Sequence, residues 1–215
     1  MLTLLVQGFG KSLEIFTLTL LGSLPLGLLV MFGRRSRVAP LRWLVKLFIS
    51  VMRGTPLMLQ LMVVYYGPFL LFDFTPPGNW RFGAVIVGFV INYAAYFAEI
   101  YRAGYESIPV GQFEAAQVLG LTRGQTFFRI TLPLTFPGIF SAVILVFIPS
   151  LGIYTVSDML GGGKVLYIGN IIKNQFGAIR NWPLGAALSV LLLVITGLLI
   201  FIYTRFAKIE DMEVV

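Results

Sequence analysis

The sequence contains no cysteine and no histidine. The lack of thiols excludes disulfide bonds and cysteine nucleophiles, and the lack of imidazole excludes Ser-His-Asp catalysis and histidine metal sites. Acidic residues are also scarce: the 215 residues include 9 Asp and Glu, and these are scattered along the chain. The sequence therefore offers no carboxylate cluster for a metal, and we expect neither a metal site nor a catalytic site.

Charge of either sign is sparse, because only 12% of the residues are charged while 58% are hydrophobic. With a mean hydropathy of +0.90, this composition is typical of integral membrane proteins. The formal charge of +7 would suit a nucleic-acid partner in a soluble protein. In a membrane protein an excess of Lys and Arg is more often an orientation signal, so we expect no nucleic-acid partner.

Long uncharged segments predict an all-α integral membrane protein with about five spans in a single domain, 1–215. We assign no structure to residues 1–11. Between the fourth and fifth spans, the apolar segment 165–172 is too short to cross and is re-entrant or interfacial. Pro56, in Arg53-Gly54-Thr55-Pro56, predicts that the second span is entered through a bend. The predicted spans are 13–33, 43–72, 82–101, 131–157 and 182–204.

The basic residues are distributed unequally between the two sides of these spans. Most of the 16 Lys and Arg residues fall in the 34–53 segment, in the loop between the third and fourth spans, and after the fifth span. The positive-inside rule therefore predicts an N-terminus outside the cell and a cytoplasmic C-terminus. The loop 107–133 then lies in the cytoplasm.

This loop has the features of a helical hairpin. Residues 112–119 favour a helix with Glu114 near its positive end, and Gly120 suits its C-cap. Ala115 and Ala116 predict a flat surface that another protein can approach closely. Thr122 and Gln125 have the spacing of a capping box for a second helix. These features also fit an ordinary cytoplasmic loop.

Glu114-Ala115-Ala116, Gly120 and the Ile130, Leu132, Pro133 positions together resemble the EAA motif of ATP-binding-cassette importer permeases. The resemblance implies the type I importer permease fold in a bacterial inner membrane. It also implies that Glu114, Ala115, Ala116 and Gly120 belong to a coupling helix seated in a groove of separate ATPase subunits. ATP and Mg would be used by those subunits, and this chain would bind no cofactor. Further implied partners are a second permease copy or homologue, and a periplasmic or lipid-anchored substrate-binding protein.

Two parts of the sequence resemble two different subfamilies of importer permeases. Residues 5–133, with Arg53-Gly54-Thr55-Pro56 and the 92–102 segment, resemble polar amino-acid permeases. Residues 133–205 are similar to spermidine/putrescine permeases, and the Lys-Asp-Thr-Ser-Leu segment typical of the amino-acid family is missing. The resemblance implies transport of a polar amino acid, with a polyamine as the alternative.

Gly161-Gly162-Gly163-Lys164 superficially resembles a phosphate-binding loop. Such a loop requires a Gly five residues before the Gly-Lys pair and a Ser or Thr after the Lys. Asp158 and Val165 occupy those positions, so we expect no nucleotide site here. The glycines more readily form an external turn that receives a binding protein.

Polar side chains at membrane depth are costly and therefore candidates for function. The candidates for the substrate pathway are Gln60, Asn92, Tyr96 and Asp158, the last as a partner for a cationic amine. The alternative for each is interhelical hydrogen bonding or, for Asp158, a solvated loop carboxylate. Glu99 and Arg102 are spaced as an ion pair on one helix face. A membrane-embedded enzyme and a passive channel or scaffold are the competing functional classes.

Overall fold

A computed structural model describes residues 2–73, 77, 80–152 and 167–212. Every regular element within these ranges is helical, and a π-helical turn, Phe127–Thr131, precedes α7. Asp158 and the Gly161-Lys164 segment lie outside the described residues. The helices are α1 Leu2–Arg34, α2 Ala39–Gly54, α3 Leu57–Phe72, α4 Trp80–Ser107, α5 Val110–Val118, α6 Arg123–Thr126, α7 Leu132–Gly152, α8 Ile168–Phe176 and α9 Trp182–Met212.

The centre of the molecule is the pairing of α1 with α4, which run parallel. Lys11 lies over the Phe82 ring near the start of both helices, and Arg34 meets Glu99 near their ends. Between these points, a Cβ added at Gly27 would lie 2.7 Å from the Phe97 Cβ and 3.1 Å from a backbone oxygen of α4. Glycine is therefore needed at this position, because close approach of the two backbones is what packs helices in lipid.

A sharp bend separates α2 from α3, whose axes differ by 112°. The bend lies at the predicted place: α2 ends at Gly54 and Pro56 is the N-cap of α3. Residues 43–72 are therefore not one continuous helix. Ile49 of α2 packs in one cluster with Met31 of α1 and with Ala95 and Ala98 of α4, so α2 crosses over α1 and α4 where these two helices lie side by side.

Because α1 and α4 are parallel, the chain between them must return to the side on which α1 began. The helix that makes this return is α3, since Trp80 at the start of α4 donates a hydrogen bond to the carbonyl of Tyr65. Helix α7 then runs antiparallel to α4. A Cβ at Gly104 would meet Thr135, and Phe147, further along α7, packs edge-on against Phe16.

By length and composition, three described helices are apolar enough to span a membrane: Val6–Arg34, Trp80–Ser107 and Trp182–Ile202. The bent pair α2–α3 would be a fourth. Each of the five predicted spans thus contains a described helix, although the predicted fourth span extends past Gly152 into residues that the structure does not describe. The number of five crossings stays a prediction.

Helix α1 begins at Leu2, so it includes most of the segment 1–11, to which no structure was assigned from the sequence. Gly8 and Gly10 lower helix propensity, but they do not interrupt α1. The short helix α8 begins beside the core: Tyr167, its N-cap residue, belongs to the same buried cluster as Ile15 and Phe89.

Candidate functional site

The hairpin between α4 and α7 begins with α5, which is closed at its C-terminal end by a Schellman motif. Gly120 has a φ of 69°, a left-handed conformation that glycine adopts without steric cost. Its N–H donates to the Gln117 carbonyl, and the Leu121 N–H donates to the Ala116 carbonyl. These two bonds satisfy carbonyls that a helix end leaves free. The predicted C-cap at Gly120 is therefore confirmed.

The second arm begins with the capping box predicted from Thr122 and Gln125. The Gln125 N–H donates to the Thr122 hydroxyl, and the Thr122 N–H donates to the Gln125 side-chain oxygen. The short helix α6 then passes into the π-helical turn Phe127–Thr131. Such turns are rare and often occur at functional positions. Both arms of the hairpin thus have defined backbone geometry.

Aromatic side chains of the hairpin contact α4 and α1. The ring of Phe113 in α5 lies 5.3 Å from the ring of Tyr105 in α4. The Arg35 guanidinium lies over the same Tyr105 ring, 3.7 Å from its centre. On the second arm, Phe127 lies 6.2 Å from Phe32 of α1. The first arm of the hairpin thus contacts α4, and the second arm contacts α1.

The outer surface of the hairpin is exposed and partly apolar. Glu114 and Ala115 are both exposed. Large apolar side chains lie on the same hairpin, and Val118 is 88% and Leu119 75% exposed. Ala116 is only 1% exposed, so the expectation that it forms part of the flat outer surface is wrong. Its methyl group is on the inner face of α5, away from solvent.

Gln60 and Asn92 come together at the bend, and both are buried. Pro56 has no N–H to donate to the carbonyl of Met52, four residues earlier. The Gln60 amide donates to this carbonyl at 2.8 Å and the Asn92 amide at 3.3 Å. Asn92 also donates to the Gln60 side-chain oxygen at 2.8 Å. These contacts are the interhelical hydrogen bonding that was the alternative to a substrate-pathway role, and that role stays a prediction.

A cleft of about 280 Å³ lies beside Gln60, between α2, α3 and α4. Apart from Gln60 and Thr55, its lining is mainly aliphatic, so it offers few partners to a charged substrate. Tyr96 does not line this cleft, and the Arg53 guanidinium lies 5.4 Å from the centre of its ring. The structure thus places Gln60 and Asn92 together and Tyr96 one turn beyond Asn92.

The predicted ion pair between Glu99 and Arg102 is confirmed, with 3.0 Å between the guanidinium nitrogen and the carboxylate oxygen. Sequence reasoning missed a second cation: Nε of Arg34 lies 2.9 Å from the other oxygen of Glu99. Arg102 also pairs with Glu106. The 34–99 pair ties the end of α1 to α4, and sequence spacing gives no sign of it because its two residues are on different helices.

Comparison with known proteins gives two kinds of relative. The spermidine/putrescine transport system permease protein PotB of Salmonella typhimurium is 42% identical over 131 residues, which cover 61% of this chain and 46% of that protein. The probable amino-acid ABC transporter permease protein YckA of Bacillus subtilis is 39% identical over 129 residues, 60% of this chain and 55% of that protein. The chain thus spans about half the length of these curated relatives. Similarity to both kinds of permease is confirmed. The predicted division at residue 133 is wrong, because a match of 131 residues within a chain of 215 must include residues 85–131, so the similarity to the spermidine/putrescine permease begins well before residue 133.

The fold is shared with solved transporters. A crystal structure of an amino acid ABC transporter with histidines aligns with 99% of this chain and 94% of that chain, with a TM-score of 0.77 and 24% identity. This likeness confirms the predicted all-α importer permease fold. A family model matches residues 23–211, and the chain belongs to the family of binding-protein-dependent transport system inner membrane components.

Proposed function

We propose that this chain is the permease subunit of an ATP-driven importer, and that its hairpin docks on a separate ATPase. The observation that carries the proposal is the outer surface of α5 and the turn after it. Glu114, Ala115, Val118 and Leu119 are exposed there, while both ends of the short helix are held by hydrogen bonds and aromatic contacts. An apolar patch on a rigid, outward-facing helix is typical of a protein interface.

The mechanical role follows from the way the hairpin is mounted. A partner that moves α5 displaces Phe113 and, through it, Tyr105 of α4. The Tyr105 ring contacts Arg35, the residue after the end of α1. The π-helical turn passes the same displacement to α7, which it adjoins. A rigid element tied at both ends converts a partner's domain closure into helix rotation.

ATP and Mg are used by the partner ATPase in this proposal, and the chain supplies no nucleotide site. A second copy or a homologue completes the pathway, and a binding protein delivers the substrate. The N-terminus of α1 lies outside and the C-terminus lies in the cytoplasm. The support for this orientation is the concentration of Arg residues at the hairpin end of α1 and α4, which the positive-inside rule assigns to the cytoplasm.

The proposed substrate is a polar amino acid, supported by the 39% identity to a probable amino-acid permease. A polyamine is the second candidate, favoured by the 42% identity to a spermidine/putrescine permease. Both classes carry ammonium groups, so a carboxylate in the pathway would suit either. Asp158 remains the proposed group for this contact.

The test of the docking role is charge reversal at Glu114 in the complete transporter reconstituted in liposomes. Glu114→Lys places a cation opposite whatever group accommodates the carboxylate, and like charges facing each other in an interface cost several kcal/mol. We expect uptake to fall at least about tenfold, ATP hydrolysis to be uncoupled from transport, and the thermal midpoint of the isolated permease to stay unchanged. Ala115→Trp should have the same effect by blocking close approach.

The matched control is Asp73→Lys, a reversal of an exposed acidic residue at the C-cap of α3. It should leave uptake near the wild-type rate. Wild-type uptake by the Glu114→Lys complex would rule out the hairpin as the coupling element.

A further inference from the structure

Helix α2 has two opposed exposed faces in addition to the face that packs on the protein. At 100° per residue, Leu44, Leu47 and Val51 fall within about 60° of one another around the axis, and all three are exposed. Arg42, Lys46 and Arg53 fall within about 40° of one another on roughly the opposite side. This is the pattern of a helix that lies in a membrane interface.

The contacts of α2 fit the same position. The helix crosses α1 and α4 near the level of the Arg34–Glu99 ion pair, because Ile49 packs with Met31, Ala95 and Ala98. It then turns through 112° into α3. If α1, α3 and α4 cross the membrane, α2 must lie close to its plane at the end where α1 leaves the bilayer.

Trp43 lies between the two exposed faces, with Leu47 on one side and Lys46 on the other around the axis. Its side chain is 63% exposed. Tryptophan is enriched at membrane–water interfaces, and the position of Trp43 between an apolar and a basic face of α2 fits such an interface. Around the axis of α2, the exposed surface therefore passes from the apolar face through Trp43 to the basic face.

Three of the basic residues in the α1–α2 connection and on α2 can bind an external anion. Arg34 is held by Glu99 and Arg35 lies over Tyr105. Arg37, Arg42 and Lys46 are exposed, and among the side chains that the structure describes none pairs with them. Three cations thus lie within about two turns of the α1–α2 connection without a carboxylate partner from this described part of the chain.

We propose that α2 and the connection 35–38 form a binding surface for anionic phospholipid. The apolar face enters the boundary between headgroups and acyl chains, Trp43 lies at headgroup level, and Arg37, Arg42 and Lys46 bind headgroup phosphates. A soluble acidic partner would satisfy the cations but would leave Leu44, Leu47 and Val51 in water. Lipid accounts for both faces at once.

The experiment uses the fluorescence of Trp43. The chain has three Trp residues, so Trp80→Phe and Trp182→Phe leave Trp43 as the only emitter in the full-length protein. The protein is reconstituted in vesicles of phosphatidylcholine that contain increasing fractions of either brominated phosphatidylglycerol or brominated phosphatidylcholine. We expect both lipids to quench Trp43, with brominated phosphatidylglycerol quenching at several-fold lower fractions.

Arg42→Gln and Lys46→Gln should each remove most of this several-fold preference for phosphatidylglycerol, since one juxtamembrane cation contributes about 1 kcal/mol, a factor of about five. The matched control is the pair Arg123→Gln and Arg129→Gln, which removes the same charge from exposed positions on the hairpin. It should leave the preference unchanged. Equal quenching by the two lipids, or a preference that survives loss of both α2 cations, would overturn the proposal. Failure of both lipids to quench Trp43 would also overturn the proposal, because lipid would then not reach this face of α2.

Discussion

At the scale of single residues, Glu99 is the carboxylate that joins the two central helices. It is 14% exposed on its side chain and contacts Arg34 at 2.9 Å and Arg102 at 3.0 Å. Glu99→Gln keeps the shape but removes the charge, so Arg34 loses its described ion-pair partner. We expect a loss of about 2 kcal/mol, because the Arg34 charge then lies in a largely buried position without a carboxylate opposite it. The measurement is the thermal midpoint in detergent, which should fall.

Glu106→Gln is the matched control for this prediction. Glu106 is 52% exposed and pairs with Arg102 within α4, and exposed pairs within one helix contribute little. Its thermal midpoint should stay close to that of the wild type. If the two variants were equally destabilised, the pair across α1 and α4 would have no special role.

At the scale of helices, local signals predicted the ends of elements and long-range contacts decided how the elements lie. The capping box at Thr122 and the C-cap at Gly120 depend on residues within a few positions of each other, so their types and spacing were sufficient. Pro56 likewise predicted a bend. The size of the bend was not predictable, because the Met52 carbonyl that Pro56 leaves free accepts hydrogen bonds from Gln60 and also from Asn92, which is 40 residues away.

The difference between local signals and long-range contacts also explains what the sequence analysis missed. The Arg34–Glu99 pair exists only because α1 and α4 are parallel, which neither sequence segment shows alone. Ala116 and its neighbour Ala115 are alike in sequence, but the rotation of α5 buries the first and exposes the second. Residues 1–11 were assigned no structure, and α1 extends through residues 2–11, beyond the start of the predicted first span.

Close packing of α1 against α4 gives a second prediction at this scale. Gly27→Ala should destabilise the protein by about 1–3 kcal/mol, the usual cost of overpacking a tight interface. The new Cβ would lie 2.7 Å from the Phe97 Cβ, and the nearby Ala94 carbonyl, part of the backbone, has no rotamer to change. The measurement is thermal unfolding of the purified chain in detergent.

Gly10→Ala in the same helix is the control, because no atom lies within 4 Å of an added Cβ there. Alanine is a better helix former than glycine, so this variant should be as stable as the wild type or slightly more stable. A Gly27→Ala protein that unfolds at the wild-type temperature would contradict close backbone packing as the basis of the central pair.

At the scale of the whole molecule, the proposed importer role does not identify the substrate. The relatives divide between amino-acid and polyamine permeases, and the shared fold serves both. The described polar groups at membrane depth do not decide between them, since Gln60 and Asn92 are engaged at the bend between α2 and α3. The substrate must therefore be read from the activity of the complete complex.

The decisive measurement is ATP hydrolysis by the complex of permease, ATPase subunits and binding protein, with arginine, glutamine, glutamate and spermidine supplied in parallel. A coupled importer hydrolyses ATP faster when its binding protein presents the correct substrate, because the loaded binding protein favours the closed state of the ATPases. We expect stimulation by at least one of the three amino acids. The same panel run on the Glu114→Lys complex should show no stimulation by any compound, which separates loss of coupling from a wrong substrate. Stimulation of the wild-type complex by spermidine alone would exclude the amino-acid assignment in favour of the polyamine one, and it would leave the role of the hairpin intact.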